Sequence, residues 1–100
     1  MKKTILKLIE NKKVLILGFG REGQSSFRLI SSIGGYSALD IADANAVSSD
    51  LTDSHKVITG ATYLDCLNDY DVVFKSPGIV LPNPIESYNC LITCQADLFL

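Results

Sequence analysis

Tryptophan is absent from this hundred-residue chain, and histidine, methionine and proline are scarce. Each shortage removes a class of explanation. The three cysteines, Cys66, Cys90 and Cys94, are too few and odd in number for a disulfide framework. On an extended chain Cys90 and Cys94 would lie roughly 13 Å apart, beyond disulfide reach. All three read as reduced, small apolar residues. The one histidine, His55, stands among Asp53, Ser54 and Lys56 without a second metal-type ligand beside it, so it reads as a solvated loop residue. Excess positive charge is also missing. A net charge of −2 excludes the basic field that a nucleic-acid surface needs. No apolar run approaches the roughly 20 residues of a membrane span, and the lysine-rich start lacks the apolar core and cleavage site of a signal peptide. A cytoplasmic location is the expectation, with neither nucleic acid nor membrane as partner.

What is present is ordinary for a globular chain, at 47% apolar and 20% charged residues. One hundred residues make one domain, 1–100. Ile5, Leu6, Leu8 and Ile9 form a helical stripe over residues 4–10, suited to packing on a sheet edge. Lys2, Lys3, Lys7, Lys12 and Lys13 would form its solvated face. Val14 to Leu17 is a continuous apolar run, the mark of a strand buried on both faces. A helix follows to Ile33 and stops at Gly34 and Gly35. Further strands are expected at 38–42, closing on Asp43, and at 56–59, 71–75 and 91–93. A short helix is expected at 61–67. Asn83, Pro84 and Glu86 have the residue types of a capped helix start. Asp97 to Leu100 begins a further element. Alternation of this kind predicts an α/β fold, a Rossmann-like three-layer domain with a five-stranded parallel sheet.

The strongest motif is Gly18-Phe19-Gly20-Arg21-Glu22-Gly23, a G-x-G-x-x-G between strand and helix. The first glycine permits a tight turn, the second lets a phosphate approach the backbone, and the third lets helix and strand pack closely. The helix N-terminus offers N–H groups and a positive dipole end to an anion. Asp43 follows Gly23 at the distance where a dinucleotide-binding unit places a ribose-binding carboxylate. Ser76-Pro77-Gly78 breaks the fourth strand and offers a hydroxyl and backbone N–H groups at a third strand end. The apolar Ile79-Val80-Leu81-Pro82 tail behind it reads as packing under the site or against a neighbour. Arg21 and Lys75 could add positive charge to the rim. Glu22, beside a phosphate, would face outward. No G-x-x-x-x-G-K-[ST], nucleophile–base pair or metal cluster occurs, so the chain reads as a binding unit with no catalytic residue of its own.

The segments Leu17-Gly18-Phe19-Gly20-Arg21-Glu22-Gly23-Gln24-Ser25, Asp43, Asp71-Val72-Val73-Phe74-Lys75-Ser76-Pro77-Gly78-Ile79 and Asp97-Leu98-Phe99 resemble, in order and spacing, the N-terminal domain of the Mur ligases. Ser-Pro-Gly-Ile after a fourth strand is the most specific part, because a general dinucleotide-binding domain has no reason to carry it. These ligases build peptidoglycan precursors by ATP-dependent amide formation, and the resemblance is to the member that adds D-glutamate to UDP-N-acetylmuramoyl-L-alanine. It implies a UDP-substrate-binding domain that works with a central ATPase domain and a C-terminal domain, both absent from these residues. No cofactor would bind here, and ATP and magnesium would belong to the absent domains. By position, Gly18, Gly20, Arg21, Glu22 and Gly23 would face the diphosphate. Asp43, Ala44 and Asn45 would hold the uracil. Ser76, Pro77 and Gly78 would line the uridine and diphosphate side. Ala44 and Asn45 stand where the family often has a hydroxyl and a basic residue. Two other readings compete: an NAD(H)-binding Rossmann module of a dehydrogenase or sensor, and an interaction domain whose glycine loop is only a tight turn.

Overall fold

The computed structural model describes residues 2–45, 55–76 and 78–93. Five parallel strands, β1 (Lys13–Leu17), β2 (Ala38–Asp43), β3 (Val57–Thr59), β4 (Val72–Lys75) and β5 (Leu91–Thr93), form one sheet in the order β3-β2-β1-β4-β5. This is the α/β, Rossmann-like arrangement expected from the alternating pattern. Because β1 lies in the middle and the chain then leaves first to one side and later to the other, the switch point falls between β1 and β4.

The continuous apolar runs are explained by burial on both faces. Val14 and Ile16 of β1 join Leu39, Ile41, Val72 and Phe74 on one face, while Leu15 and Leu17 join Ala42 and Val73 on the other. The first face is covered by two helices, α1 (Lys2–Ile9) and α2 (Arg21–Ile33), through Ile5, Ile9, Phe27 and Ile30. Thus α1 lies on the sheet face beside α2 rather than at the edge. Lys7, Lys12 and Lys13 are exposed, as a solvated charged face requires. Gly34 ends α2 with φ +72°, its N–H bonded to the Ile30 carbonyl at 2.9 Å.

The other face departs from expectation. Residues 61–67 do not form an α-helix. They make successive tight turns, closed by Tyr63 N–H on the Gly60 carbonyl and Asp65 N–H on Thr62, then a 3-10 turn at Leu67–Asp69. Seven residues between Gly60 and the Asn68-Asp69 stop are too few to repay helix nucleation, and Leu67 and Tyr70 reach the core without it. The helix expected at Asn83 is likewise one 3-10 turn, Ile85–Ser87. Pro84 keeps an extended ψ of 146° and no side chain caps the turn. The Ser87 hydroxyl instead donates to the Pro84 carbonyl at 2.6 Å, a local bond that competes with helix propagation. Among the described residues, the third layer is therefore built of turns packed through Tyr63, Leu64, Leu67, Tyr70 and Tyr88.

Candidate functional site

Strand register brings three remote segments to one rim. Leu17 pairs with Ala42 on one side and Lys75 on the other. The next residues, Gly18, Asp43 and Ser76, consequently stand side by side at the carboxyl ends of β1, β2 and β4. The ladder continues into them: Gly18 N–H donates to the Ala42 carbonyl at 2.7 Å, and Ser76 N–H to Leu17 at 3.0 Å.

The three glycines of the motif have three different surroundings. Gly18 adopts φ +89°, where a side chain is strained, and a Cβ there would stand 2.6 Å from Ile79 Cδ1 and 2.8 Å from Ser76 Oγ. Gly20 precedes α2, and a Cβ on it would meet nothing within 4 Å. Gly23 is buried in the first turn of α2, where a Cβ would overlap the Gly18 carbonyl. The motif thus opens a gap above Gly20 while pressing the helix start against the strand end. The N–H groups of a helix's first turn have no partner within the helix, so this end of α2 is suited to an anion.

Asp43 fastens this loop. One carboxylate oxygen accepts the Phe19 N–H at 2.7 Å and the other accepts the Asn45 N–H at 2.9 Å. Lys75 differs from the expectation of a rim charge. Its ammonium group donates to the carbonyls of Ser76 (3.1 Å) and Ile79 (2.8 Å), bracing the turn that Ile79 N–H closes on the Ser76 carbonyl. Ile79 packs beneath Gly18, and Leu81 against the core, whereas Val80 is 86% exposed.

Between these segments lies an open cleft of about 520 Å³ lined by Gly18, Gly20, Arg21, Glu22, Asp43, Ala44, Asn45, Tyr63, Ser76, Gly78 and Ile79. Gly23 is not on its surface but behind it, and Pro77 lies outside the described residues. Tyr63 and Ile79 were not among the residues expected to form the site. Tyr63 fell in the segment read as a short helix, and no local pattern marks a turn residue as facing a cleft three strands away in sequence. The exposed Arg21 guanidinium and Glu22 carboxylate give the helix end of the cleft one charge of each sign. Glu22 favours the positive end of α2 and opposes an anion placed there.

The remaining reactive groups are accounted for elsewhere. A second cleft of about 570 Å³ lies toward the amino ends of the strands, but its Asp40 already accepts the Tyr70 hydroxyl at 2.7 Å. Burial pushes the Cys66 and Cys90 thiols above their ordinary value, which favours the protonated form over the nucleophilic thiolate. Cys94 lies outside the described residues. His55 is not solvated. It is half-buried, with Nδ1 2.7 Å from the Leu39 carbonyl and its ring edge-on to Phe27 at 4.9 Å. Among the described residues, no group of three or more His, Cys, Asp or Glu could hold a metal ion, and no helix is long and apolar enough to cross a membrane.

No family model matches the chain, and no solved structure matches it. Curated relatives do. A UDP-N-acetylmuramoylalanine–D-glutamate ligase of Lactiplantibacillus plantarum is 39% identical over 82 residues, which is 77% of this chain and 18% of that protein. Ligases of the same name from Streptococcus uberis and Streptococcus pneumoniae are 37% and 34% identical over 84 and 86 residues, or 79% and 81% of this chain. The chain therefore spans less than a fifth of the length of these relatives. Over about four-fifths of its own length the chain is thus similar to proteins named UDP-N-acetylmuramoylalanine–D-glutamate ligase.

Proposed function

We propose that the cleft binds the UDP portion of UDP-N-acetylmuramoyl-L-alanine. The chain would then be the substrate-binding domain of an ATP-dependent ligase that adds D-glutamate during peptidoglycan precursor synthesis in the cytoplasm. The observation that carries this reading is the open space above Gly20, at the N-terminus of α2 and at the switch point of the sheet. Backbone N–H groups there suit a diphosphate, and the relatives' name specifies a substrate that has one. On this reading Gly18, Gly20, Arg21, Glu22 and Gly23 surround the diphosphate. Gly23 contributes its backbone from behind the cleft surface. Asp43, Ala44 and Asn45 lie on the uracil side, and Ser76, Pro77 and Gly78 on the opposite side.

Asp43 acts chiefly by holding the loop, since both its oxygens already accept backbone N–H groups. The hundred residues contain no P-loop, so this reading gives ATP and magnesium no site in this chain. They would be held by further domains, for which the length of the relatives leaves room. No catalytic residue is assigned here, and the purified chain is expected to turn over no ATP.

The test is an NMR titration of the chain with UDP-N-acetylmuramoyl-L-alanine and with NAD in parallel. Amide shifts at Gly20, Gly23, Asn45 and Gly78 with the UDP compound alone are expected, with a dissociation constant of roughly 0.1–1 mM. Gly20→Val, whose Cβ would meet nothing within 4 Å while its bulk enters the gap, should abolish them. Shifts with NAD alone would replace this reading with the dinucleotide one. If Gly20→Val binds as the parent does, the glycine loop is only a turn.

A further inference from the structure

We infer that the Tyr63 ring is the stacking platform for the base of the bound nucleotide. The inference rests on the diphosphate reading of the cleft and names a residue that the motif does not contain. Three observations support it. Tyr63 is the one aromatic residue lining the cleft among the described residues. It is half-buried and packs against the core cluster that includes Leu15, Leu17 and Ala42, so the residue is braced by the protein while it also lines the cleft. Finally, its turn is tied to the end of β2, with Tyr63 N–H on the Gly60 carbonyl at 3.2 Å and Gly60 N–H on the Ala44 carbonyl at 3.3 Å.

The strand order sets the direction of the ligand. Phosphates held at Gly20 lie over β1. The ends of β2 and β3 lie one and two strands away, about 5 and 10 Å. That is the reach of a nucleoside from its phosphates, and Tyr63 follows β3. Ala44 is small and exposed, leaving the approach from β1 open. A supported ring loses little freedom when a base settles on it. Every base has a π-face, so stacking supplies affinity while polar groups near Asn45 supply discrimination.

The experiment compares UDP with inorganic pyrophosphate on the parent, Tyr63→Leu, Tyr63→Phe and Gly20→Val, using NMR shift titrations. In the parent complex the uracil protons should move upfield under the ring. Tyr63→Leu should weaken UDP about five-fold or more and leave pyrophosphate unchanged, whereas Tyr63→Phe should bind both as the parent does. Gly20→Val should lose both ligands. If Tyr63→Leu holds UDP as the parent does while Gly20→Val loses it, the base lies elsewhere and the inference falls while the diphosphate reading stands. Equal weakening of UDP and pyrophosphate by Tyr63→Leu would reduce the residue to a structural role. A parent that binds neither probe, or a Gly20→Val variant that binds both normally, overturns the diphosphate reading and this inference with it.

Discussion

Replacing Gly23 with alanine is the sharpest test of how the glycine loop is built. In an exposed helix the change would gain about 1 kcal/mol from helix propensity. Here the added methyl overlaps the Gly18 carbonyl oxygen and lies 2.8 Å from its carbon. Neither is the tip of a flexible side chain; both belong to the backbone at the end of β1. Restoring normal contact requires α2 to retreat by on the order of an ångström. That movement would strain the Phe19–Asp43 bond and the packing of Phe27 and Ile30 on the sheet. Overpacking of this kind costs about 1–3 kcal/mol, with the upper part expected where backbone meets backbone. A net loss of about 2 kcal/mol would lower the melting temperature of a domain this size by roughly 8–16 °C. Circular-dichroism melts of Gly23→Ala and of Gly20→Ala provide the comparison. The second adds a methyl that meets nothing within 4 Å, so only a weak N-cap effect of about 1 kcal/mol or less is expected. Equal melting temperatures for Gly23→Ala and the parent would refute the close packing of α2 on the β1 loop.

Two other perturbations probe the frame of the cleft and the core behind it. Asp43→Asn leaves one acceptor oxygen for two N–H groups, so stability in urea should fall by roughly 1–2 kcal/mol and the Phe19 or Asn45 amide should exchange faster; unchanged exchange at both would show that Asp43 does not hold the loop. Tyr70 has its hydroxyl pushed well above its ordinary value, first by burial and then by its bond to Asp40. The raised folded value means that the Tyr70 contribution is complete below about pH 10, where the unfolded chain keeps its proton, and is lost as pH rises beyond that toward the folded value. The stability gap between the parent and Tyr70→Phe should therefore narrow above pH 10, and a gap constant from pH 8 to 11 would contradict the assignment.

Much of the fold was legible because burial leaves a local signature. Val14 to Leu17 is apolar at every position because both sheet faces are covered, and the glycines at 18, 20 and 23 follow at a spacing with few other uses. The turns at 61–69 and 84–88 were not legible as such. Capping and propensity signals say where a helix could start, but its survival depends on length and on whether the core is reached without it. Tyr63, Leu64 and Leu67 satisfy the core from tight turns, and the Ser87 hydroxyl takes the carbonyl that a helix would have used.

By itself the sequence determined the parallel α/β architecture, the strand–glycine–helix loop and the resemblance to the Mur ligases, because each depends on the order and spacing of residues along the chain. Only the tertiary structure decided what Asp43, Lys75, His55 and Tyr63 do. Asp43 meets Phe19, Lys75 turns inward to the Ile79 carbonyl, His55 lies against Phe27, and Tyr63 joins a cleft opened by Gly20. Apart from the local Lys75 turn, those meetings are fixed by strand order and register, which place side by side residues that are tens of positions apart. For Lys75 the choice between solvent and two carbonyls depends on how the turn packs beneath Gly18. A periodic pattern records how deeply each position is buried, and it carries no record of which neighbour is found there.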